Sequence, residues 1–197
     1  LERGWGEATI GLHQAHVVYE FLSSLQLLSV KTMEPEQFFF KDDGKIPNSK
    51  YPLLLYRNAF ALRDSKGAKW LEEHFASNNW TNSWRNGVYS FHHYHSTSHE
   101  VLGVYEGTAL LQLGGEQGEK VQVAAGDIIV IPAGVGHKNL GSEGLGIVGA
   151  YPDGRDWDVN KGLPGERPKA DENIAALPIP GKDPLLGTDG GVPVLWH

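Results

Sequence analysis

The sequence predicts an all-β domain, a small antiparallel sandwich or barrel with a few flanking helices and an extended C-terminal tail. Three observations carry this. From Trp84 to Tyr151 the apolar residues alternate with period two, in runs too short for helices. Between the runs stand turns: Glu106-Gly107, Gly114-Gly115-Glu116-Gln117-Gly118, Ala125-Gly126-Asp127 and Pro132-Ala133-Gly134. The 25 Gly and 11 Pro among 197 residues suit many tight turns better than long helices.

The elements follow in chain order. The chain begins with Leu1, and its only methionine is Met33. That describes a fragment, a processed form, or a product starting at Met33 whose residues 1–32 are a foreign N-terminal extension. Within that stretch Val17, Val18, Phe21, Leu22, Leu25 and Leu28 recur at helical spacing, which predicts an amphipathic helix. Glu20, Ser23, Ser24 and Gln26 interrupt it, so it falls short of the ~18 apolar residues of a membrane span. It also lacks the basic flank and small-residue cleavage site of a secretion signal, so the cytoplasm is the expected compartment. Residues 33–84 are expected to pack on the barrel. Asp42-Asp43-Gly44 and Ile46-Pro47-Asn48 read as turns and residues 53–57 as a strand. Residues 65–77 read as a helix capped by Ser65, with Trp70, Leu71, His74 and Phe75 on one face and Asn78-Asn79 ending it. The barrel core spans 85–152, with strands at 87–94, 100–105, 108–113, 120–124, 128–131 and 145–151. Residues 153–197 turn polar and rich in Pro and Gly, which predicts a tail over the surface pinned by Leu185-Leu186 and residues 192–196.

Composition excludes several functions. Lys and Arg total 17 against 24 Asp and Glu, a net charge of −7, which argues against a phosphate-neutralising nucleic-acid surface. Cysteine is absent, so disulfide frameworks, thiolate zinc sites and cysteine nucleophiles are excluded. Asn79-Trp80-Thr81 matches a glycosylation acceptor, but no secretion signal accompanies it. The glycines at 114, 115 and 118 are hairpin chemistry, since no Lys-Ser/Thr follows at phosphate-loop spacing.

The chemistry concentrates in histidine. Five of nine histidines, His92, His93, His95, His99 and His137, lie within residues 92–137. In a strand, His93 and His95 share a face, with His92 and Tyr94 on the other. Two imidazoles at that spacing make a bidentate clamp for a metal. Glu100, Leu102 and Val104 share one face of the next strand, and His137 follows a tight turn from which it can close the site. Three imidazoles and one carboxylate suit Fe, Mn, Ni, Zn or Cu, and not Ca or Mg.

The spacing carries a resemblance. Gly87, His93, His95, Glu100 and Gly107 stand at every fixed position of the first cupin motif. Gly126, Pro132, Gly134 and His137 reproduce most of the second; its closing Asn is replaced by Gly141, with Asn139 two positions early. The chain therefore resembles the cupin superfamily, which implies a double-stranded β-helix or jelly-roll barrel. Over residues 36–152 it is most similar to the uncharacterised single-domain YjlB-like cupins. The carrying stretches include Phe40-Lys41-Asp42-Asp43-Gly44, Asn82-Ser83-Trp84-Arg85-Asn86-Gly87, His92-His93-Tyr94-His95-Ser96 and Ser98-His99-Glu100-Val101-Leu102-Gly103. The resemblance implies His93, His95, Glu100 and His137 as ligands of one divalent transition metal: Fe, Mn, Ni or Zn. It also implies a homodimer. A shorter form of the motif would place its acid at His99, but the inward register of Glu100, Leu102 and Val104 favours Glu100.

No reaction comes with the resemblance. Four protein ligands on an octahedral ion leave two adjacent positions, and a divalent ion beside one carboxylate leaves a local charge near +1. A small anionic or enediol-like metabolite is the expected ligand, with neither nucleic acid nor membrane as partner. One reading is a metal-dependent enzyme, foremost an oxygenase-type oxidoreductase, otherwise an isomerase or decarboxylase. The other is a non-enzymatic binding or structural cupin. His99, Tyr89, Tyr94 and Tyr105 are the candidate general bases, and Arg85, Trp84 and Trp80 are expected near the barrel mouth, Arg85 as a carboxylate clamp.

Overall fold

Seven antiparallel strands build the domain: β1 (Glu36–Phe38), β2 (Leu53–Tyr56), β3 (Trp80–Asn86), β4 (Glu100–Leu113), β5 (Glu119–Ala124), β6 (Ile128–Ile131) and β7 (His137–Pro152). Among the described residues three helices accompany them: α1 (Asp64–Ser77), α2 (Lys169–Ala176) and α3 (Val192–Leu195). The structure, a computed structural model, describes residues 33–197. The helix expected within residues 17–28 lies outside the described residues.

The sheet order is β1-β2-β6-β4-β7-β3, with β5 beside the second half of β4. Strand β4 is the spine. Its first residues lie between β6 and β7, and its last between β5 and β7. The β4–β7 ladder runs from the pair Val101–Ala150 to the pair Leu113–His137. Laid straight, such a ladder would span about 40 Å. Yet His137 Nε2 lies 3.3 Å from Glu100 Oε2, at the ladder's other end. The ribbon therefore curls into a closed roll. Register shifts at Val104/Glu106, Glu106/Thr108 and Leu110/Leu111 supply the bends.

Those bends correct two sequence expectations. Glu106-Gly107 is not a turn between strands but a bulge within the unbroken β4. Gly107 sits at φ +69°, and a Cβ there would overlap the carbonyl oxygens of Glu143 and Gly144; only glycine lets the strands approach so closely. The strand expected over 87–94 is instead β3 ending at Asn86, an irregular segment, and two isolated bridges, His93–His137 and Tyr94–Asn160.

Leu53, Leu55, Leu102, Val104, Leu111 and Ile129 fill the roll, all essentially inaccessible to water. Each such side chain contributes roughly 1.5–3 kcal/mol through burial. Outside, α1 lays Leu71 and Phe75 on the sheet, and the bare Cα of Gly103 makes room for Leu71. The helix starts at Asp64, after an extended Arg63 that makes no side-chain cap, so Ser65 is inside the first turn rather than at the N-cap. Asn78 ends it as expected. Trp80 is buried under residue 182, donating its Nε1 to the Lys182 carbonyl, and does not reach the barrel mouth.

The segment after β7 does more than run over the surface. Residues 157–160 turn back across the barrel, and α2 follows. Leu185, Val192 and Trp196 are buried, the Trp196 indole donating to the Pro52 carbonyl at 2.9 Å. Among the described residues no helix is long and apolar enough to cross a membrane.

Candidate metal centre

Local structure brings the four residues together from three places. Glu100 opens β4 pointing inward, with Leu102 and Val104 behind it in the core. His137 opens β7, after a turn whose Gly134 sits at φ +91°. His93 and His95 come from the irregular segment before β4, where the exchange of backbone hydrogen bonds between His93 and His137 holds them in register. Alternation survives without a full strand. Tyr94 points the other way into a second cluster with Ile46 and Ala170, and His92 lies 3.3 Å from Glu116 at the rim.

Ligand atoms of His93, His95 and His137 lie within 4.8 Å of one another, and all three residues are buried. His95 Nε2 and His137 Nε2 stand 3.5 and 3.3 Å from Glu100 Oε2. The second nitrogen of each ring meets a carbonyl: His93 Nδ1 faces Phe91 O at 3.4 Å, His137 Nδ1 faces Val135 O at 3.1 Å, and His95 Nδ1 faces Asp158 O. A carbonyl only accepts, so in the neutral rings the hydrogen belongs on Nδ1 and the lone pair on Nε2. Glu100 Oε2 is buried and takes no aligned hydrogen bond. Three lone pairs and one bare carboxylate oxygen thus converge with no donor among them. Burying acceptors in this way is costly unless a cation joins them, and the nitrogen–oxygen donor set fits a transition metal.

Without a cation the Glu100 carboxylate and the imidazoles that face it pair with one another instead. Burial pushes the Glu100 carboxyl up, but the imidazoles of His95 and His137 outweigh it and hold the group well below the usual carboxylate range. His95 rises against its own burial because Glu100 faces it. Burial pushes His93 down, and its imidazole neighbours His137 and His95 push it further.

The other Glu100 oxygen is held. Tyr151 donates its hydroxyl to Glu100 Oε1 at 3.0 Å, and Trp84 Nε1 donates to the Tyr151 oxygen at 2.7 Å. The register that pairs Val101 with Ala150 puts Tyr151 beside Glu100, and Trp84 on β3 lies flat over Gly149, where any Cβ would collide with the indole. Burial and the facing Glu100 carboxylate push the Tyr151 phenol far up, so it stays a donor.

Comparison with known proteins gives the family. A cupin domain model matches residues 85–144. The uncharacterised protein YjlB of Bacillus subtilis is 41% identical over 165 residues, covering 83% of this chain and 97% of YjlB. The chain belongs to the YjlB-like cupins. Solved structures matched by the chain include a DUF861 family protein of Thermotoga maritima (24% identity, 42% of this chain and 85% of that one, TM-score 0.28). They also include an oxalate decarboxylase of Bacillus subtilis described with Mn(II) centres (21% identity, 68% of this chain and 32% of that one, TM-score 0.34).

Around the cluster this cupin leaves a cavity of about 420 Å³. Trp84, Tyr89, Tyr151 and Trp157 wall it, with Asn82 and Ser83 at its edge. Of the residues expected near the site, Arg85 reaches the cavity, but one edge of its guanidinium, Nε and Nη2, donates to the two carboxylate oxygens of Glu72 of α1 at 2.7 Å each. His99 and Tyr105 do not reach it. His99 lies on the opposite face of β4, accepting from the Ala133 amide at 2.9 Å and packing against Trp196. Tyr105 also faces outward, its ring over Gly146. Tyr94 is committed to Glu166 at 3.3 Å.

Three residues were not singled out from the sequence: Tyr151, Trp157 and Asp158. Trp157 stands edge-on to His95 and stacks on Tyr151. The Asp158 carboxylate accepts from the Ser96 and Thr97 amides at 2.6 and 3.2 Å, fixing the strap whose carbonyl meets His95. A tryptophan followed by aspartate in a polar tail, Trp157-Asp158, was the only local hint. The replacement of the motif's Asn by Gly141 falls at an exposed position within β7, where Asn139 Oδ1 accepts from the Gly141 amide across the register shift opposite Leu110 and Leu111.

Proposed function

We propose that this cupin binds one divalent transition metal through His93, His95, Glu100 and His137 and uses it on a small anionic metabolite, as an oxygenase-type oxidoreductase. The observation that carries this reading is the convergence of four buried acceptors, without a donor, at the floor of an accessible cavity. A cluster meant only to rigidify the roll would need no such opening. A bound ion would supply Lewis acidity, and with Fe or Mn one-electron chemistry toward dioxygen. The protein's own part is to exclude bulk water with Trp84, Tyr89 and Trp157, to fix each imidazole by its Nδ1 hydrogen bond, and to keep a proton on Tyr151 Oη toward Glu100 Oε1.

Purified protein should carry about one transition-metal ion per chain by elemental analysis, the single-site expectation. The double substitution His93→Ala with His95→Ala should abolish it; unchanged metal content would sink the ligand assignment. Activity is tested by oxygen uptake and metabolite turnover with Fe-, Mn- and Ni-loaded protein. A second reading, a non-enzymatic binding cupin, is favoured by one observation: of the four candidate general bases, His99, Tyr94 and Tyr105 sit away from the cavity and Tyr89 alone lines it. Metabolite binding without turnover under any metal would select it.

A further inference from the structure

The cavity's charge and shape narrow what it can hold. Among the described residues lining it, Arg85 is the only basic side chain besides the three clustered histidines. One edge of its guanidinium is already engaged by the bidentate contact with Glu72, which offsets its charge. A dianion, compact or extended, would therefore meet a net charge near +1, a divalent ion beside one carboxylate, and no second free cation in the lining to match its other charge. Neutral aromatic surface takes that place. Tyr89 and Trp157, 46% and 37% exposed, stand edge-on to His93 and His95 with ring centroids 5.0 and 5.5 Å away. Each is backed by a stacked ring, Phe91 behind Tyr89 at 4.9 Å and Tyr151 behind Trp157 at 5.7 Å. Two rigid aromatic walls thus flank the histidine cluster, with the Trp84 indole close by. Rigid walls of this kind select flat partners by stacking and by edge contact.

Building on the metal-site reading above, we propose that the cavity selects a flat, ring-bearing, singly charged ligand with two adjacent oxygens directed at the metal, and discriminates against compact dianions. The adjacent oxygens match the two positions that four protein donors leave on a six-coordinate ion. The ring takes the space between Tyr89 and Trp157. The Arg85–Glu72 pair is then a specificity element that works by withholding a cation rather than by offering one.

The test uses the full chain loaded with Mn²⁺, its metal content measured first by elemental analysis. Three probes are titrated calorimetrically: tropolone, a flat monoanion; acetohydroxamate, a chelator without a ring; and oxalate, a compact dianion. Each affinity is divided by the probe's affinity for free Mn²⁺. Tropolone should then exceed acetohydroxamate by about tenfold, from two aromatic contacts, and oxalate should fall lowest. Trp157→Ala combined with Tyr89→Ala should erase the ring preference, whereas Trp157→Phe should keep it and controls for folding. Glu72→Gln frees Arg85 and should raise oxalate affinity several-fold. Normalised oxalate binding equal to or tighter than tropolone overturns the proposal, as does a ring preference that survives the double alanine variant. Protein that holds no metal at all overturns the metal-site reading instead, and the elemental analysis separates the two failures.

Discussion

At the scale of single residues, Tyr151 decides how the acid in the cluster is presented. Its hydroxyl occupies Glu100 Oε1 and leaves Oε2 alone toward the imidazoles. Tyr151→Phe removes that donor and strands the Trp84 Nε1–H as well. Metal affinity should fall by about tenfold, in line with other outer-shell losses, in a competitive chelator titration, with far-ultraviolet circular dichroism unchanged. Equal affinity would show that Glu100 needs no such support. Three of the four clustered residues were legible from local spacing, alternation putting His93 and His95 on one side and register putting Glu100 beside Leu102 and Val104, whereas His137 was legible through the family motif. Tyr151 was not legible, because its place depends on how two strands fifty residues apart are aligned.

At the scale of elements, the core of β4 and the tie between α1 and β3 behave differently. Leu102 is buried between the metal-side cluster and the rest of the roll. Leu102→Ala should cost about 2–5 kcal/mol, read as a lower urea midpoint. The Glu72–Arg85 pair is half exposed and contributes little to stability. The Arg85 guanidinium holds the Glu72 carboxyl below its usual range, against a smaller effect of burial. A lowered folded-state value means the pair's contribution is present above the unfolded value of about 4.3 and is lost as pH falls through the lower folded value. The stability difference between wild type and Glu72→Gln should therefore shrink in urea titrations below about pH 4. A difference that persists in acid would point to packing rather than charge. Period-two patterning found β5 and β6 almost to the residue. It divided β4 at Glu106-Gly107 because a bulge and a turn use the same residue types, and only the partner strand tells them apart.

At the scale of the whole molecule, the two ends of one long ladder meet at the candidate centre. Glu100 comes from one end, His137 from the other. An ion bound there would staple the roll shut and stabilise the folded state by mass action. Melting should therefore shift upward with added Mn²⁺ or Fe²⁺ and downward with chelator, in a concentration-dependent way; a melting temperature indifferent to both would mean that folding and metal are uncoupled. The roll was foreseeable from many short strands and glycine turns. The path of residues 157–160 was not, since a polar, Pro-rich stretch has no periodicity to betray where it docks. That path has a consequence for the order of events in the cell. A ribosome delivers the barrel first and Asp158 only afterwards, so the last brace of His95 reaches its partner once every strand has already emerged. The nascent barrel thus has a less firmly braced His95 until the segment that follows β7 arrives to finish the cage.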